Sequence, residues 1–181
     1  MKVEKKITSS QNPYVKHIRS LKEKSRERIK SGRFVIEGAR ELELAQTSGY
    51  EIETLFVCHE ILEKGNHKFL ESPCETVQIS PHIYQKLAHR GSTEGILAIA
   101  KTKSHALDDI GPLPENPLVL VAEAPEKPGN IGARLRTADA ANLDAVLIAN
   151  PKSDLYNPNI IRSSVGCAFT NAIGMASSTE V

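Results

Sequence analysis

The sequence predicts an α/β protein built from two domains, and three observations carry that prediction. Short β-branched stretches and helical stripes alternate over the first hundred residues. A polar run holding Pro112, Pro114 and Pro117 then interrupts the pattern. After it, the wholly apolar Leu118 to Val121 opens a strand, glycine loop, helix, strand unit. Strands alternating with helices call for a sheet covered by helices. The domains are placed at residues 1–103 and 118–181, with 104–117 as a stiff, proline-bearing linker.

Asn12 before Pro13 is a helix start, a capping side chain followed by proline at the first helical position. Val15, Ile18 and Leu21, with Ile29 further on, supply an inward stripe, and Gly32 supplies the C-terminal cap. Arg33 to Glu37 reads as a strand, Gly38 to Ser48 as a helix closed by Gly49. Thr54 to Cys58 is a strand, Glu60 to Leu70 a helix weakened by Gly65, and Thr76 to Ile79 another strand. Ser80 and Pro81 start a helix running to about His89, and Gly95 to Lys101 forms the fourth strand. Beyond the linker, Leu118 to Val121 has the composition of a strand buried on both faces. A glycine loop over Glu126 to Gly132 leads into a helix ending near Ala140, and Ala145 to Ala149 is a second buried strand. Asp154 and Asn157 before Pro158 are turn and capping residues.

With 181 residues, 40% hydrophobic and 25% charged, the chain has the composition of a globular protein and not of a disordered or fibrous one. Three cysteines at wide spacing (58, 74, 167) argue against a disulfide framework and for a reducing, cytoplasmic setting. No apolar run is long enough to span a bilayer, and the N-terminus has no apolar segment of a signal peptide. The six histidines (17, 59, 67, 82, 89, 105) are not at metal-ligand spacing and no C-x-x-C occurs, so no metal is expected. The net charge of +1 hides an asymmetry: residues 1–40 carry 12 Lys and Arg against 4 Glu, the remainder 11 against 18 acidic residues. A basic N-terminal face suits a polyanion, although a solvated helix would carry the same charges.

The dinucleotide pattern G-x-G-x-x-G and the phosphate-binding G-x-x-x-x-G-K-[ST] are both absent, which disfavours a nicotinamide enzyme and a nucleotide hydrolase. In their place stands Pro128-Gly129-Asn130-Ile131-Gly132, followed by Arg136-Thr137-Ala138. Downstream lies Asn159-Ile160-Ile161-Arg162-Ser163-Ser164-Val165-Gly166-Cys167-Ala168-Phe169. The first segment resembles the opening signature of the SpoU-type (TrmH-like) RNA methyltransferases of the SPOUT superfamily, which methylate ribose 2'-hydroxyls. The second resembles that family's Arg-Ala-Ser-x-Gly-Ala segment, with Ser163 and Cys167 at the two Ala positions. Arg33 to Arg40 and Gly95 to Ala98 are similar to landmarks of its accessory RNA-binding domain.

The resemblance implies an α/β/α RNA substrate-binding domain followed by the N-terminal part of an α/β knot domain. It implies transfer of a methyl group from S-adenosylmethionine to structured rRNA or tRNA, and a homodimer for the full-length protein. The alternative is a non-catalytic RNA-binding module on the same scaffold. Asn130 and Arg136 are the implied catalytic residues. A guanidinium stays protonated in proteins, and lowering its pKa by about 5 units would cost roughly 7 kcal/mol. Arg136 is therefore expected to orient ribose or phosphate and stabilise the developing oxyanion; pairing with Glu126 is its rival role. Lys16, Arg19, Arg26, Arg28, Arg33 and Arg40 are the expected RNA-backbone contacts, with Glu37 and Glu41 as rival partners for Arg40. Few aromatics (4%) and no Trp argue for folded RNA read by shape and not for a stacking platform. Family members continue through a Gly-x-Glu-x-x-Gly and a Ser-Leu-Asn segment that build the cofactor pocket and the trefoil knot. Neither segment precedes Val181. The chain as given is thus expected to hold no cofactor-binding residues and to be inactive alone, with Leu118–Val121 and Ala145–Ala149 short of apolar cover.

Overall fold

The computed structural model describes residues 5–62, 73–89 and 94–181. The chain forms two compact units, Met1–Thr102 and Lys103–Val181.

The first unit is a five-stranded sheet. Its strands are β1 (Lys5–Ile7), β2 (Arg33–Glu37), β3 (Ile52–Val57), β4 (Glu75–Ile79) and β5 (Ile96–Lys101). They lie in the order β1-β4-β3-β5-β2, with β1, β4 and β3 parallel and β5 antiparallel to both β3 and β2. Helices α1 (Pro13–Glu23) and α4 (Pro81–Leu87) bring Val15, Ile18, Leu21, Ile83, Tyr84 and Leu87 onto the face carrying Phe56, Val77, Ile79 and Leu97. Alternation along each strand sends Phe34, Leu55 and Ala98 to the opposite face, where α3 (Ala39–Thr47) buries Leu42 and Ala45. Each such side chain is worth about 1.5–3 kcal/mol of burial.

Several sequence expectations change here. The single basic helix is two: α1 ends at Lys24, whose extended backbone (φ −117°, ψ 110°) separates it from α2 (Ser25–Ser31). The turn of the chain leaves Ile29 outside the apolar stripe, 73% exposed. Gly32 does close the pair with a left-handed cap (φ 62°). Asn12 accepts from the Tyr14 N–H as the cap of α1, whereas Ser80 makes no side-chain cap bond for α4. Strand β1 carries no alternation signal in three residues and is defined by a partner some seventy positions away. The helix read over 60–70 lies largely outside the described residues.

The second unit holds three parallel strands, β6 (Val119–Glu123), β7 (Ala145–Ala149) and β8 (Ile173–Ala176), in chain order. Helices α5 (Pro128–Ala140), α6 (Pro158–Ser163) and α7 (Cys167–Thr170) gather around Ile131, Leu135, Ala138, Val146, Ile148 and Ile160. Parallel sheets call for cover on both faces, and β6 has it on one. Leu118 is 61% and Val121 55% exposed, and among the described residues β6 is an edge strand paired only with β7. The expected lack of apolar cover therefore appears on β6, while β7 has four of its five residues buried. The polar stretch before β6 does not begin as a free connection. Met175 donates to the His105 carbonyl, and Leu107 and Ile110 lie so close over Gly174 that a Cβ there would meet them at 2.6–2.9 Å.

Candidate active site and nucleic-acid interface

The two segments that resemble signature motifs fold against each other. The expected glycine loop is the first turn of α5: Lys127 is the extended residue before the helix, Pro128 takes its first position, and the amides of Asn130 and Ile131 donate to the Lys127 carbonyl. Sequence reading stopped at the glycines because glycine lowers helix propensity, and tertiary contact overrides that cost. A Cβ on Gly132 would stand 2.0 Å from Ser163 Oγ, 2.7 Å from the Ile160 carbonyl oxygen and 2.8 Å from the Ser164 nitrogen. Glycine is what allows α6 to pack on α5.

The rest of the second segment locks that contact. Asn157 caps α6 by accepting from the Asn159 amide at 2.9 Å. Ser164, fully buried, donates to the Ile161 carbonyl and accepts from the Ala168 amide. Val165 (φ 54°) and Gly166 (φ 84°) turn the chain through two left-handed residues into α7. Thr170 then donates to Asp139 at 2.8 Å, and the Asn171 side-chain amide to the Leu135 carbonyl at 3.1 Å.

Asn130 and Arg136 are both exposed on α5. Six residues of helix set them about 9 Å apart along the axis and about 120° apart around it. Arg136 stands one turn beyond Gly132, on the flank beside α6, whereas Asn130 shares the other flank with Arg134 and Thr137. Among the described residues neither side chain has a hydrogen-bond partner, and Arg136 forms no ion pair with Glu126. The two candidates therefore stand on two flanks of one helix.

The carboxyl ends of the strands, where open α/β sheets place their ligand sites, carry a polar clasp that sequence reading missed. Ala124 (φ 40°) and Asn150 (φ 48°) are left-handed, non-glycine residues directly after β6 and β7. Their amides still donate across, to the Ala149 and Ala176 carbonyls, at 2.8 Å each. The Asn150 side-chain amide donates to Glu123 at 2.8 Å and also to Ser178, whose hydroxyl donates to the same carboxylate at 3.1 Å. The only signal of it in the sequence is that these residues follow strands.

In the first unit, Lys16, Arg19, Arg26 and Arg40 are exposed, as an RNA contact requires. Arg28 is not. It is 2% exposed, and its guanidinium donates to the Leu21 and Lys22 carbonyls, satisfying the end of α1 at the helix break. Arg33 is engaged as well, gripping Glu53 through Nε and through a second nitrogen at 2.8 Å. Charge count could not separate these two from the solvated cations. Arg40 pairs with neither of its rivals: Glu37 takes Lys22 at 2.7 Å, and burial pushes the Glu41 carboxyl above its usual range. Lys24, at the break between the helices, and Lys30 on α2 are also exposed.

No group of three or more His, Cys, Asp or Glu among the described residues could hold a metal, and the three thiols are free. Among the described residues no helix is long and apolar enough to cross a membrane. His105 is packed in place. Its Nδ1 donates to the Ile173 carbonyl at 3.2 Å and its Nε2 lies 2.9 Å from the Tyr156 hydroxyl.

Against known proteins, residues 12–98 match the MRM3-like substrate binding domain and residues 117–180 the SpoU rRNA Methylase family. The chain is 30% identical over 170 residues to the 23S rRNA (guanosine(2553)-2'-O)-methyltransferase RlmP of Bacillus subtilis, covering 91% of this chain and 62% of that protein. It is 29% identical over 146 residues to the 23S rRNA (uridine(2479)-2'-O)-methyltransferase of Streptomyces viridochromogenes, covering 79% and 50%. Among solved structures, an RNA 2'-O ribose methyltransferase superposes with TM-score 0.83 at 36% identity, over 97% of this chain and 67% of that one. The SpoU methyltransferase AviRb from Streptomyces viridochromogenes gives 0.82 at 26%, over 93% and 63%. The chain spans only part of the length of these curated relatives, 50% and 62%. With its two folded units matched in order to that architecture, the chain belongs to the SpoU family of RNA 2'-O-methyltransferases.

Proposed function

We propose that this chain is the RNA-binding and ribose-facing part of an S-adenosylmethionine-dependent RNA 2'-O-methyltransferase. The observation that carries this is the Gly132 contact, which joins the two signature segments into one α5–α6 element and leaves Asn130 and Arg136 solvent-facing without partners. Residues 1–103 serve as the substrate-binding domain, 104–117 as the connection and 118–181 as the N-terminal part of the methyltransferase domain. The substrate is folded ribosomal or transfer RNA, and relatives named as 23S rRNA 2'-O-methyltransferases favour the enzymatic reading over a non-catalytic RNA-binding module. The full-length protein acts as a homodimer in the cytoplasm, a setting that free thiols suit.

The gap inside the second unit, between α5 and the sheet, does not fit S-adenosylmethionine. Lined by Ala122, Pro125, Ile131, Leu135 and Ile148 with Arg134 as its one charged residue, it is too narrow to admit even a water molecule. A nucleoside site needs roughly 300 Å³ or more and several polar groups. What this chain supplies is orientation and charge. Arg136, always protonated, donates to the ribose or its phosphate and stabilises negative charge on the 2'-oxygen as its proton departs. Asn130 holds the nucleotide from the other flank. Lys16, Arg19, Arg26 and Arg40, joined by Lys24 and Lys30, grip the RNA backbone.

Methyl-labelled S-adenosylmethionine and deproteinised ribosomal RNA, incubated with the protein extended to its relatives' length, test this. Label is expected in alkali-resistant dinucleotides, since a 2'-O-methyl group blocks cleavage of the adjacent phosphodiester. Arg136→Ala is expected to lower transfer by at least 100-fold with RNA binding largely kept. Unchanged turnover in that variant would remove Arg136 from the chemistry, and label confined to alkali-labile positions would overturn ribose methylation.

A further inference from the structure

The second unit as a whole is acidic, yet its carboxylates and its cations are used differently. Asp139, Asp144, Glu123 and Glu180 each accept hydrogen bonds from within the unit, from Thr170, the Leu118 amide, Asn150 with Ser178, and Ser177 respectively. Asp109 does the same with the Ala106 amide. The arginines of α5 and α6 are exposed and make no ion pair among the described residues; Arg162 touches only Asn159, at 3.3 Å. An arginine used for stability is normally paired or laid on carbonyls, as Arg28 and Arg33 are in the first unit. Three unpaired guanidiniums on two helices packed through Gly132 are a surface with charge to spend on a partner.

From this we infer that Arg134 and Arg162 are RNA-backbone contacts that flank Arg136, so that the methyltransferase unit grips the substrate itself and does not depend on the first unit alone. Arg134 lies one turn from Asn130 on the same flank of α5, whereas Arg162 sits within the Ile160–Ser164 stretch that contacts Gly132. A sugar–phosphate strand crossing α5 would meet Arg134 and Asn130 on one side and Arg136 on the other, with Arg162 presented from the outer face of α6. Guanidiniums bind phosphate bidentately and release counterions, which gives affinity without base specificity. The inference rests on the RNA reading above but names a separate contact.

The test is a salt titration of the 181-residue chain binding a fluorescently labelled, folded RNA hairpin. Arg134→Gln and Arg162→Gln are each expected to weaken binding about 3–10-fold at moderate salt and to lower the slope of log K against log salt by about 0.7–0.9. Arg134→Lys should keep most of the slope, and the melting temperature should not move in any variant. Unchanged affinity and slope in both glutamine variants, with Lys16→Gln still weakening binding, would overturn this inference and leave the RNA reading intact. Weakened binding that tracks a fall in melting temperature would overturn it too, as a packing role. If the unsubstituted chain fails to bind the hairpin, the RNA reading falls along with it.

Discussion

The two units solve the same problem, covering a sheet with helices, to different degrees. In the first, β3 and β5 are central strands packed on both faces, and Leu55, Phe56, Leu97 and Ala98 are essentially sealed from water. In the second, three helices cover one face, and the edge strand β6 presents Val121 to solvent. The arginines differ as well. The first unit buries Arg28 to close a helix end and locks the part-exposed Arg33 onto Glu53, while Arg19, Arg26 and Arg40 stay in solvent. The second leaves all three arginines of α5 and α6 exposed and, among the described residues, without an ion pair. The unit with the complete core thus uses part of its charge to hold itself, whereas the unit with the open face uses none of its arginines in ion pairs.

The sharpest way to break the comparison is at the helix contact. Gly132→Ala is expected to destabilise the second unit by about 1–3 kcal/mol, since the new methyl meets backbone atoms of α6 that cannot swing away. In a thermal melt followed by hydrogen exchange, protection should fall across α5–α7 and stay unchanged in β2–β5. Equal loss in both units would show that they do not melt separately.

A smaller effect separates the units by pH. Burial pushes the His105 imidazole below its ordinary value, outweighing the Ile173 carbonyl and Asp109, which favour the cation. The unfolded chain therefore takes up a proton first, and stability of the second unit is expected to fall as pH drops below about 6.5. Glu41 in the first unit is shifted upward by burial and by Glu94 and Glu37, against Arg40. There the folded state protonates first, so stability rises as pH falls into that raised range. Protection measured between pH 7.5 and 5 should slope in opposite directions for the two units; His105→Gln should flatten only the second. Stability falling in both units as pH drops would overturn the Glu41 assignment, and stability rising in both as pH drops would overturn that of His105.

Least of all, Val121→Lys should change the melting temperature by an amount equivalent to less than about 0.5 kcal/mol while reducing concentration-dependent light scattering, because a charge blunts an exposed apolar edge. A large loss of stability would mean that β6 is covered after all.

Much was legible in the residues. Pro13 and Asn12, Gly32, the 33–37 strand and the 96–101 strand all stand where local pattern put them, because each is decided by backbone preferences of a few neighbours. The misreadings lie where a side-chain contact, and not the local pattern, decides the backbone. The helical first turn through Gly129 and Gly132 rests on a second helix some thirty residues on, and the break at Lys24 is closed by Arg28 folding back on the Leu21 and Lys22 carbonyls. The candidate site divides in the same way. Asn130, Gly132 and Arg136 could be picked out as a motif, but not the 120° between the two side chains, nor the clasp of Glu123, Asn150 and Ser178.

By itself, then, the amino-acid order determined the alternation of strand and helix, the basic front and acidic remainder, and the family likeness of two short segments. Those are properties of composition and local periodicity. Only the folded molecule decided which arginines are structural and which are free, and that α5 and α6 form one element. Burial and close approach belong to pairs of residues brought together from distant positions, and no local pattern encodes them.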